Sequence, residues 1–183
     1  MHKTPKLIIL RGATGSGKST LAVRGLPGFV CVSADDYFTD ALGAYKFDGT
    51  KIQKAHDVCY QKVKRLLEEG KNVVVDNTNI RLSELTRYFG LRATYRIYHV
   101  TGNYKSTKNV PDYVGVRQRL NYEPHKSDES VETKIKADGS FAWRFVLQRV
   151  PDIPAPLAAN TAPSKAVNSG PEHDICTEPV VKS

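Results

Sequence analysis

The sequence predicts an α/β fold in which a parallel sheet is flanked by helices. Three observations support this prediction. Short apolar segments alternate with segments of helical periodicity, a glycine-rich turn follows the first apolar segment, and polar side chains follow the later ones. Alternation of strand and helix patterns is typical of parallel sheets covered on both faces. The predicted parallel strands are 7–10, 29–32, 73–75 and 95–100.

The helices are predicted from their apolar periodicity and from the residues at their ends. The first follows the glycine-rich turn and runs to about Arg24. The second spans 51–69, with one apolar face formed by Ile52, Ala55, Cys59, Val63 and Leu66. Gly70 stands where a C-terminal helix cap is expected. Further helices are predicted at 82–91 and at 111–122, where Pro111 is suited to the first turn.

The last third of the chain divides into a hairpin and a tail. Segments 134–136 and 141–147 flank Asp138-Gly139, a strong hairpin signal, so we predict a C-terminal β-hairpin. Residues 151–183 hold six of the ten prolines and no aromatic residue. Such a segment buries too little apolar surface to offset its ordering entropy. We therefore expect one domain over 1–150 and a disordered Pro/Ala-rich tail over 151–183.

Composition is typical of a globular protein without a membrane span. The chain has 183 residues, and no stretch approaches the ~18 to 20 apolar residues of a transmembrane helix. The first residues lack a secretory cleavage pattern. The three cysteines, Cys31, Cys59 and Cys176, are widely spaced and odd in number, which favours reduced thiols. We expect a cytoplasmic or nuclear protein that is not secreted.

Positive charge is concentrated in the predicted domain. Residues 1–150 carry 25 Lys and Arg against 15 Asp and Glu, a net charge of +10. A basic body suits a polyanionic partner such as nucleic acid. Binding of ATP also requires positive charge, so the excess alone does not choose between these ligands.

The glycine-rich turn fits the phosphate-binding pattern GxxxxGK[ST] in full. Glycines let successive backbone N–H groups face phosphate oxygens, and the following helix adds its positive N-terminal dipole. Lys18 is expected to reach the β- and γ-phosphates of ATP, and the Ser19 hydroxyl to ligate Mg²⁺. The sequence therefore predicts a P-loop NTPase whose nucleotide-binding residues are Gly12, Ala13, Thr14, Gly15, Ser16, Gly17, Lys18, Ser19 and Thr20.

Two acids follow the second predicted strand, Asp35 and Asp36. The carboxyl ends of parallel strands line the ligand crevice of such sheets, so these carboxylates are expected near the phosphates. A kinase uses a carboxylate there to accept the proton of the attacking hydroxyl. The alternative is a helix N-cap. Both roles remain open, and one Asp can cap while the other serves as the base.

The third predicted strand also ends in polar residues, Asp76, Asn77, Thr78 and Asn79. An acid at this point suits the outer shell of Mg²⁺. Asn77, Thr78 and Asn79 are candidates to orient the acceptor or to brace the P-loop. Asp and Asn also favour turns, and a plain polar turn is the alternative.

Together these motifs resemble the polynucleotide 5′-kinase family of P-loop kinases. The matching segments are RGATGSGKST (11–20), SADDYF (33–38), AYKFDGTKIQKAH (44–56) and VVVDNTNI (73–80), within a resemblance that covers roughly residues 6–115. The resemblance implies ATP and Mg²⁺ as cofactors and a 5′-hydroxyl end of DNA or RNA as acceptor. It also implies that Asp35 is the general base, and that Asp36 and 77–79 face the substrate.

The resemblance also implies a lid whose arginines hold the ATP phosphates. The segment 106–111 is similar to the end of that lid, but the basic position upstream is Lys105, which lacks the planar fork of Arg. Either Lys105 and Lys108 act more weakly, or Arg117 and Arg119 take the role. Phe38 likewise stands where bacteriophage members have an arginine.

Several aromatic residues and one histidine are weaker candidates. Tyr37, Tyr45 and Trp143 are of a type that stacks nucleobases, although aromatic residues are more often part of a core. His56 resembles a family position near the substrate and is equally compatible with a packing role.

Two other functions fit a P-loop. One is a small-molecule kinase for a nucleoside, sugar or antibiotic, and the other is a non-catalytic NTP-binding module. The guanine-selecting pattern NKxD is absent from the sequence, which argues against a GTPase.

Overall fold

A computed structural model describes residues 4–105 and 110–146 of the chain. Its centre is one six-stranded sheet in the order β2-β3-β1-β4-β5-β6. The first five strands are mutually parallel, and β6 is antiparallel to β5. The predicted α/β fold is confirmed. The strands are β1 (Lys6–Arg11), β2 (Val30–Val32), β3 (Val73–Asp76), β4 (Thr94–Val100), β5 (Asp128–Ile135) and β6 (Phe141–Phe145).

Helices connect the parallel strands. They are α1 (Lys18–Thr20), which continues as a π-helical turn over Leu21–Gly25, then α2 (Ile52–Glu68), α3 (Ser83–Thr86) and α4 (Asp112–Leu120). Single 3₁₀ turns precede α2 at Ala34–Phe38 and Gly49–Lys51. None of the helices in the described ranges combines the length and apolar character needed to cross a bilayer.

Successive residues of β1 contribute to two separate hydrophobic clusters, as expected for a strand buried on both faces. Leu7 and Ile9 pack in the cluster that contains the buried side of α2, whereas Ile8 and Leu10 pack with Leu21 of the π-helical turn. Burial on both sides holds the carboxyl ends of β1, β2 and β3 at one edge of the sheet. This is the edge where the polar motifs lie.

The buried face of α2 differs slightly from the prediction. Leu67 is buried, Leu66 is only partly buried, and Ile52 is exposed because it is the first residue of the helix. Gly70 has a φ of +75° and its N–H bonds to the Leu67 carbonyl, which confirms the predicted cap.

The helix expected at 82–91 is much shorter than predicted. Only Ser83–Thr86 is α-helical, and the chain then continues in tight turns in which Tyr88, Phe89 and Leu91 donate to carbonyls three residues earlier. Burial of the Tyr88 ring in the core against Tyr60 accompanies this tighter winding.

The predicted hairpin is present and belongs to the main sheet. Its first strand starts at Asp128, six residues earlier than expected, and pairs in parallel with β4 through Val100 and Val131. Gly139 takes a φ of +76° in the turn. The predicted tail, with Cys176, lies outside the described residues.

Candidate functional site

Three glycines give the P-loop its shape. Gly12, Gly15 and Gly17 have φ angles of +138°, +73° and +92°, a region that side chains with a Cβ rarely adopt. A Cβ at Gly15 would lie 2.1 Å from the Tyr104 carbonyl oxygen, and one at Gly12 would lie 2.5 Å from the Val100 carbonyl oxygen. The loop is therefore a backbone cradle, and the backbone at Val100 and Tyr104 packs closely against it.

The side chain of Lys18 is folded back against this cradle. Its Nζ donates to the carbonyl oxygens of Gly12 at 2.9 Å and Ala13 at 2.8 Å, and it lies 3.3 Å from the Ser16 hydroxyl. Lys18 is buried at 8% exposure. The Lys18 ammonium group is thus held against oxygen atoms of the P-loop itself.

Later segments of the chain enclose the loop. Tyr104 N–H donates to the Gly15 carbonyl at 2.7 Å, and the Thr133 hydroxyl donates to the Ser16 carbonyl at 3.1 Å. From α4, the Gln118 Oε1 accepts the Thr14 N–H at 2.7 Å. The sequence analysis did not predict these three contacts. The local sequence around Tyr104, Gln118 and Thr133 does not indicate a hydrogen-bond partner that lies 89 to 117 residues away in the chain.

Arg11, immediately before the P-loop, is fully buried and connects three parts of the site. Its guanidinium donates to both carboxylate oxygens of Asp128, at 3.0 and 2.8 Å. It also donates to the carbonyls of Asn79 (2.9 Å), Ile80 (3.1 Å) and Glu123 (2.7 Å). These bonds fix the start of the P-loop to the turn after β3 and to the start of β5.

Aromatic contacts complete the Arg11 cluster. The guanidinium lies over the Tyr122 ring at 4.5 Å, and the Tyr122 hydroxyl donates to Asp128 at 2.7 Å. His99 stacks on the other side of Tyr122 at a centroid distance of 3.9 Å. Burial lowers the pKa of His99, an effect that nearby Asp128 partly opposes.

The two acids after β2 differ in their contacts. Asp36 accepts from the Ser33 N–H at 3.4 Å in a capping box and pairs with Lys62 at 3.1 Å. Asp35 instead accepts a hydrogen bond from the Tyr45 hydroxyl, at 3.3 Å. The capping role foreseen for one Asp is thus performed by Asp36.

Tyr45 is an unforeseen neighbour of Asp35. Burial of the hydroxyl, reinforced by the adjacent Asp35 carboxylate, raises the pKa of Tyr45 to about 12. Like any tyrosine at neutral pH the phenol is protonated, and here it acts as a hydrogen-bond donor to Asp35.

Hydrogen bonds connect the acid pair to the polar turn after β3. Asn77 Oδ1 accepts the Ala34 N–H at 2.9 Å, and the Ser33 hydroxyl donates to the Asp76 carbonyl at 2.9 Å. The Thr78 carbonyl in turn accepts the Gly12 N–H at 2.9 Å. The three sequence motifs therefore form one bonded unit.

The side chains of Asn77 and Asn79 are buried, at 7% and 2% exposure. Asn79 has a φ of +44° and its side-chain amide donates to the Leu10 carbonyl at 2.8 Å. Asn79 thus bonds the end of the strand that leads into the P-loop, whereas Asn77 bonds the segment of the acid pair.

The candidate Mg²⁺ ligands, Ser19 and Asp76, belong to different elements. Ser19 is exposed at the start of α1, and Asp76 is half-buried at the end of β3. Within the described ranges, no three His, Cys, Asp or Glu side chains cluster as a metal cage. A hydroxyl and one carboxylate fit Mg²⁺, which keeps several waters and takes its other ligands from the phosphates.

The candidate lid cations have different positions. Lys105 is exposed, and Lys108 lies outside the described residues. Arg119 donates to Asn103 Oδ1 at 2.8 Å and lines, with Ala13 and Ser16 of the P-loop, a cavity of about 230 Å³. Arg117 and Arg119 are both exposed on α4, and Arg119 also borders the cavity beside the P-loop.

The remaining candidates are mainly packing residues. Tyr37 and Trp143 are partly buried against the two core clusters, and a Cβ at Gly25 would lie 2.9 Å from the Trp143 indole nitrogen. His56 is half-buried, and burial lowers its pKa.

This fold and this loop define a domain of the P-loop NTPase type. Residues 7–103, more than half of the chain, match the family model described as "AAA domain", and the chain belongs to that family. The match includes the P-loop, the acid pair and the polar turn after β3.

Individual relatives resemble only part of the chain. It is 37% identical over 95 residues to human NEDD4-binding protein 2, a match that covers 49% of this chain and 5% of the human protein. The chain thus spans a small fraction of this curated relative.

Two solved structures share the fold. A chain of the Pnkp1/Rnl/Hen1 RNA repair complex is 24% identical with a TM-score of 0.52, covering 67% of this chain and 45% of that one. A sugar kinase from Janibacter sp. HTCC2649 is 13% identical with a TM-score of 0.53, covering 71% and 86%. At these identities the likeness concerns the fold alone.

Proposed function

We propose that this chain is an ATP-dependent kinase that transfers the γ-phosphate to the 5′-hydroxyl of DNA or RNA. The observation that carries the proposal is the bonded unit described above. The carbonyl of Thr78 holds Gly12 of the P-loop, and Asn77 holds the segment that presents Asp35. A candidate base and a phosphate cradle on the same rigid edge are what in-line phosphoryl transfer requires.

In this proposal Asp35 accepts the proton of the attacking hydroxyl as its oxygen bonds to the γ-phosphorus. The bond from that phosphorus to the β–γ bridging oxygen breaks, and ADP leaves. Lys18 and backbone amides of the P-loop hold the phosphates, whereas the Gly12 and Thr14 amides bond Thr78 and Gln118. Ser19 and Asp76 would hold Mg²⁺. Mg²⁺ supplies neutralisation of phosphate charge when it is bound.

We assign the lid role to Arg119 rather than to Lys105. Arg119 lines the same cavity as Ala13 and Ser16, and its guanidinium can contact two phosphate oxygens at once. Asp36, Asn77, Thr78 and Asn79 act on the substrate indirectly, by holding the acid segment and the P-loop in register.

The choice of a nucleic-acid acceptor rests on charge and on sequence. Residues 1–150 carry a net charge of +10, from 25 basic and 15 acidic side chains, and the motifs around Asp35 and Asp76 resemble those of polynucleotide kinases. The fold is shared equally with an RNA repair complex and a sugar kinase, so a small-molecule acceptor is the alternative. A non-catalytic NTP-binding module is the second alternative.

The test is transfer of ³²P from γ-labelled ATP to a 5′-hydroxyl oligonucleotide in the presence of Mg²⁺. We expect Asp35→Asn to lower kcat by at least about 100-fold, since general-base catalysis contributes ~10² to 10⁴-fold. We expect Lys18→Ala to lower it by about 100-fold or more, because a donor that stabilises transition-state charge is lost. Asp57→Asn is the control, because Asp57 is an exposed acid of α2 that bonds Gln53 and Arg87.

The outcomes separate the candidates. Full activity of Asp35→Asn would exclude the proposed base. Failure of the wild type to label any DNA or RNA, with ATP binding intact, would favour a small-molecule acceptor if sugars or nucleosides are phosphorylated. It would favour a binding module if they are not.

A further inference from the structure

A small hairpin stands beside the acid pair. The Lys46 N–H donates to the Phe38 carbonyl at 2.8 Å, and Thr39 forms an antiparallel bridge with Tyr45. At the tip, the Asp40 carboxylate accepts the N–H groups of Leu42 and Ala44, at 3.0 and 2.9 Å. These bonds give the hairpin a defined shape although few of its residues are buried.

Two aromatic rings of this hairpin, those of Tyr45 and Phe47, each pack against the ring of Phe38. Phe38 is buried, and it contacts the ring of Tyr45 at 6.3 Å and that of Phe47 at 5.1 Å between centroids. Tyr45 and Phe47 lie two residues apart and remain 39% and 59% exposed. Both rings therefore pack against the buried Phe38 ring and are partly exposed to solvent.

This aromatic surface adjoins the proposed catalytic base. The Tyr45 hydroxyl is 3.3 Å from Asp35 Oδ1. An acceptor whose hydroxyl gives its proton to Asp35 therefore has the rest of its molecule close to Tyr45. For a sugar the remainder is small and polar. For a nucleic-acid end the remainder includes flat bases, which stack on exposed aromatic rings with little dependence on sequence.

We propose that the exposed rings of Tyr45 and Phe47 form a stacking surface for unpaired nucleobases at the 5′ end of the acceptor strand. The inference rests on the proposed function and favours single-stranded ends as its substrate, because their unpaired bases are free to lie on the rings. Phe47 supplies the more exposed ring, and Tyr45 also holds Asp35.

The test measures binding of a 3′-labelled single-stranded oligonucleotide with a free 5′-hydroxyl by fluorescence anisotropy. We expect Phe47→Ala to raise the Kd by about 10-fold, from the stacking free energy lost per base, and Phe47→Trp to restore it. Leu42→Ala is the matched control, because Leu42 is 95% exposed on the same hairpin but offers no ring. Its Kd should equal that of the wild type.

Phosphate transfer to the same oligonucleotide is measured in parallel. An equal Kd for Phe47→Ala and the wild type, or an equal loss in Leu42→Ala, overturns the stacking surface even if the wild type is an active kinase. A Kd raised only in Phe47→Ala supports it even if no phosphate is transferred, in which case the proposed function fails alone.

Discussion

At the residue scale, the pair formed by Arg11 and Asp128 shows how the site depends on one buried contact. The Arg11 side chain is fully buried and that of Asp128 is 6% exposed. Ions held out of water need their partners, because an uncompensated buried charge is far more costly than the pair is favourable. Because Arg11 directly precedes Gly12, its pair with Asp128 also fixes the start of the P-loop.

We predict that Asp128→Asn lowers the free energy of unfolding by about 3 kcal/mol or more. The physical reason is that the Arg11 guanidinium then remains buried without its counter-charge. Urea unfolding followed by circular dichroism measures the change.

Glu68→Gln is the control for that measurement. Glu68 forms an exposed pair with Lys64 at 4.0 Å, and such pairs contribute roughly 0 to 1 kcal/mol. Equal effects of the two substitutions would mean that the Arg11 contacts do not stabilise the fold.

At the element scale, β5 both extends the sheet and supports the P-loop. Its parallel pairing with β4 brings Thr133 next to Ser16, and the Thr133 side chain is buried. The P-loop is thus stabilised by a strand that follows it by more than a hundred residues.

We predict that Thr133→Val lowers the free energy of unfolding by about 1 to 3 kcal/mol, because the Ser16 carbonyl loses a buried donor while the shape of the side chain is kept. Thermal or urea unfolding measures it. Thr94→Val on the adjacent strand is matched in chemistry and exposed, and should change stability by less than about 0.5 kcal/mol. An equal loss of unfolding free energy in Thr94→Val would mean that replacing threonine in a strand, and not the bond to Ser16, causes the effect.

At the scale of the whole molecule, stability should depend on pH through its partly buried histidines. Burial lowers the pKa of both His56 and His99 below the ordinary value of 6.5. The unfolded chain therefore binds protons more readily than the folded one. The stability contributed by keeping these histidines neutral is fully present above their pKa in the unfolded chain, about 6.5. It is lost as the pH falls from there toward their lower pKa values in the folded protein.

We predict that the free energy of unfolding falls between pH 7 and pH 5, by at most about 1.4 kcal/mol per pH unit for each histidine. Urea titrations at several pH values measure the slope. His99→Phe should flatten it, because a ring stays against Tyr122 while the titrating group is removed. Parallel curves for the two proteins would show that His99 does not contribute.

The sequence alone determined the local features of this protein. Apolar alternation and periodicity were sufficient to predict the fold class, the four strands from β1 to β4 and the cap at Gly70. The P-loop was readable because its glycines, Lys18 and Ser19 form a contiguous pattern, whereas the role of Asp35 stays a prediction. These signals lie in neighbouring residues, where local conformational preferences act.

Tertiary structure alone decided which distant residues support those motifs. The burial of Arg11 against Asp128, the contact of Thr133 with Ser16 and the hydrogen bond from Tyr45 to Asp35 all join segments with no shared local pattern. The exposure of Phe47 likewise could not be read from the sequence, because an aromatic residue is equally compatible with a core. Such contacts follow from the sheet order and from side-chain packing, which depend on the whole chain at once.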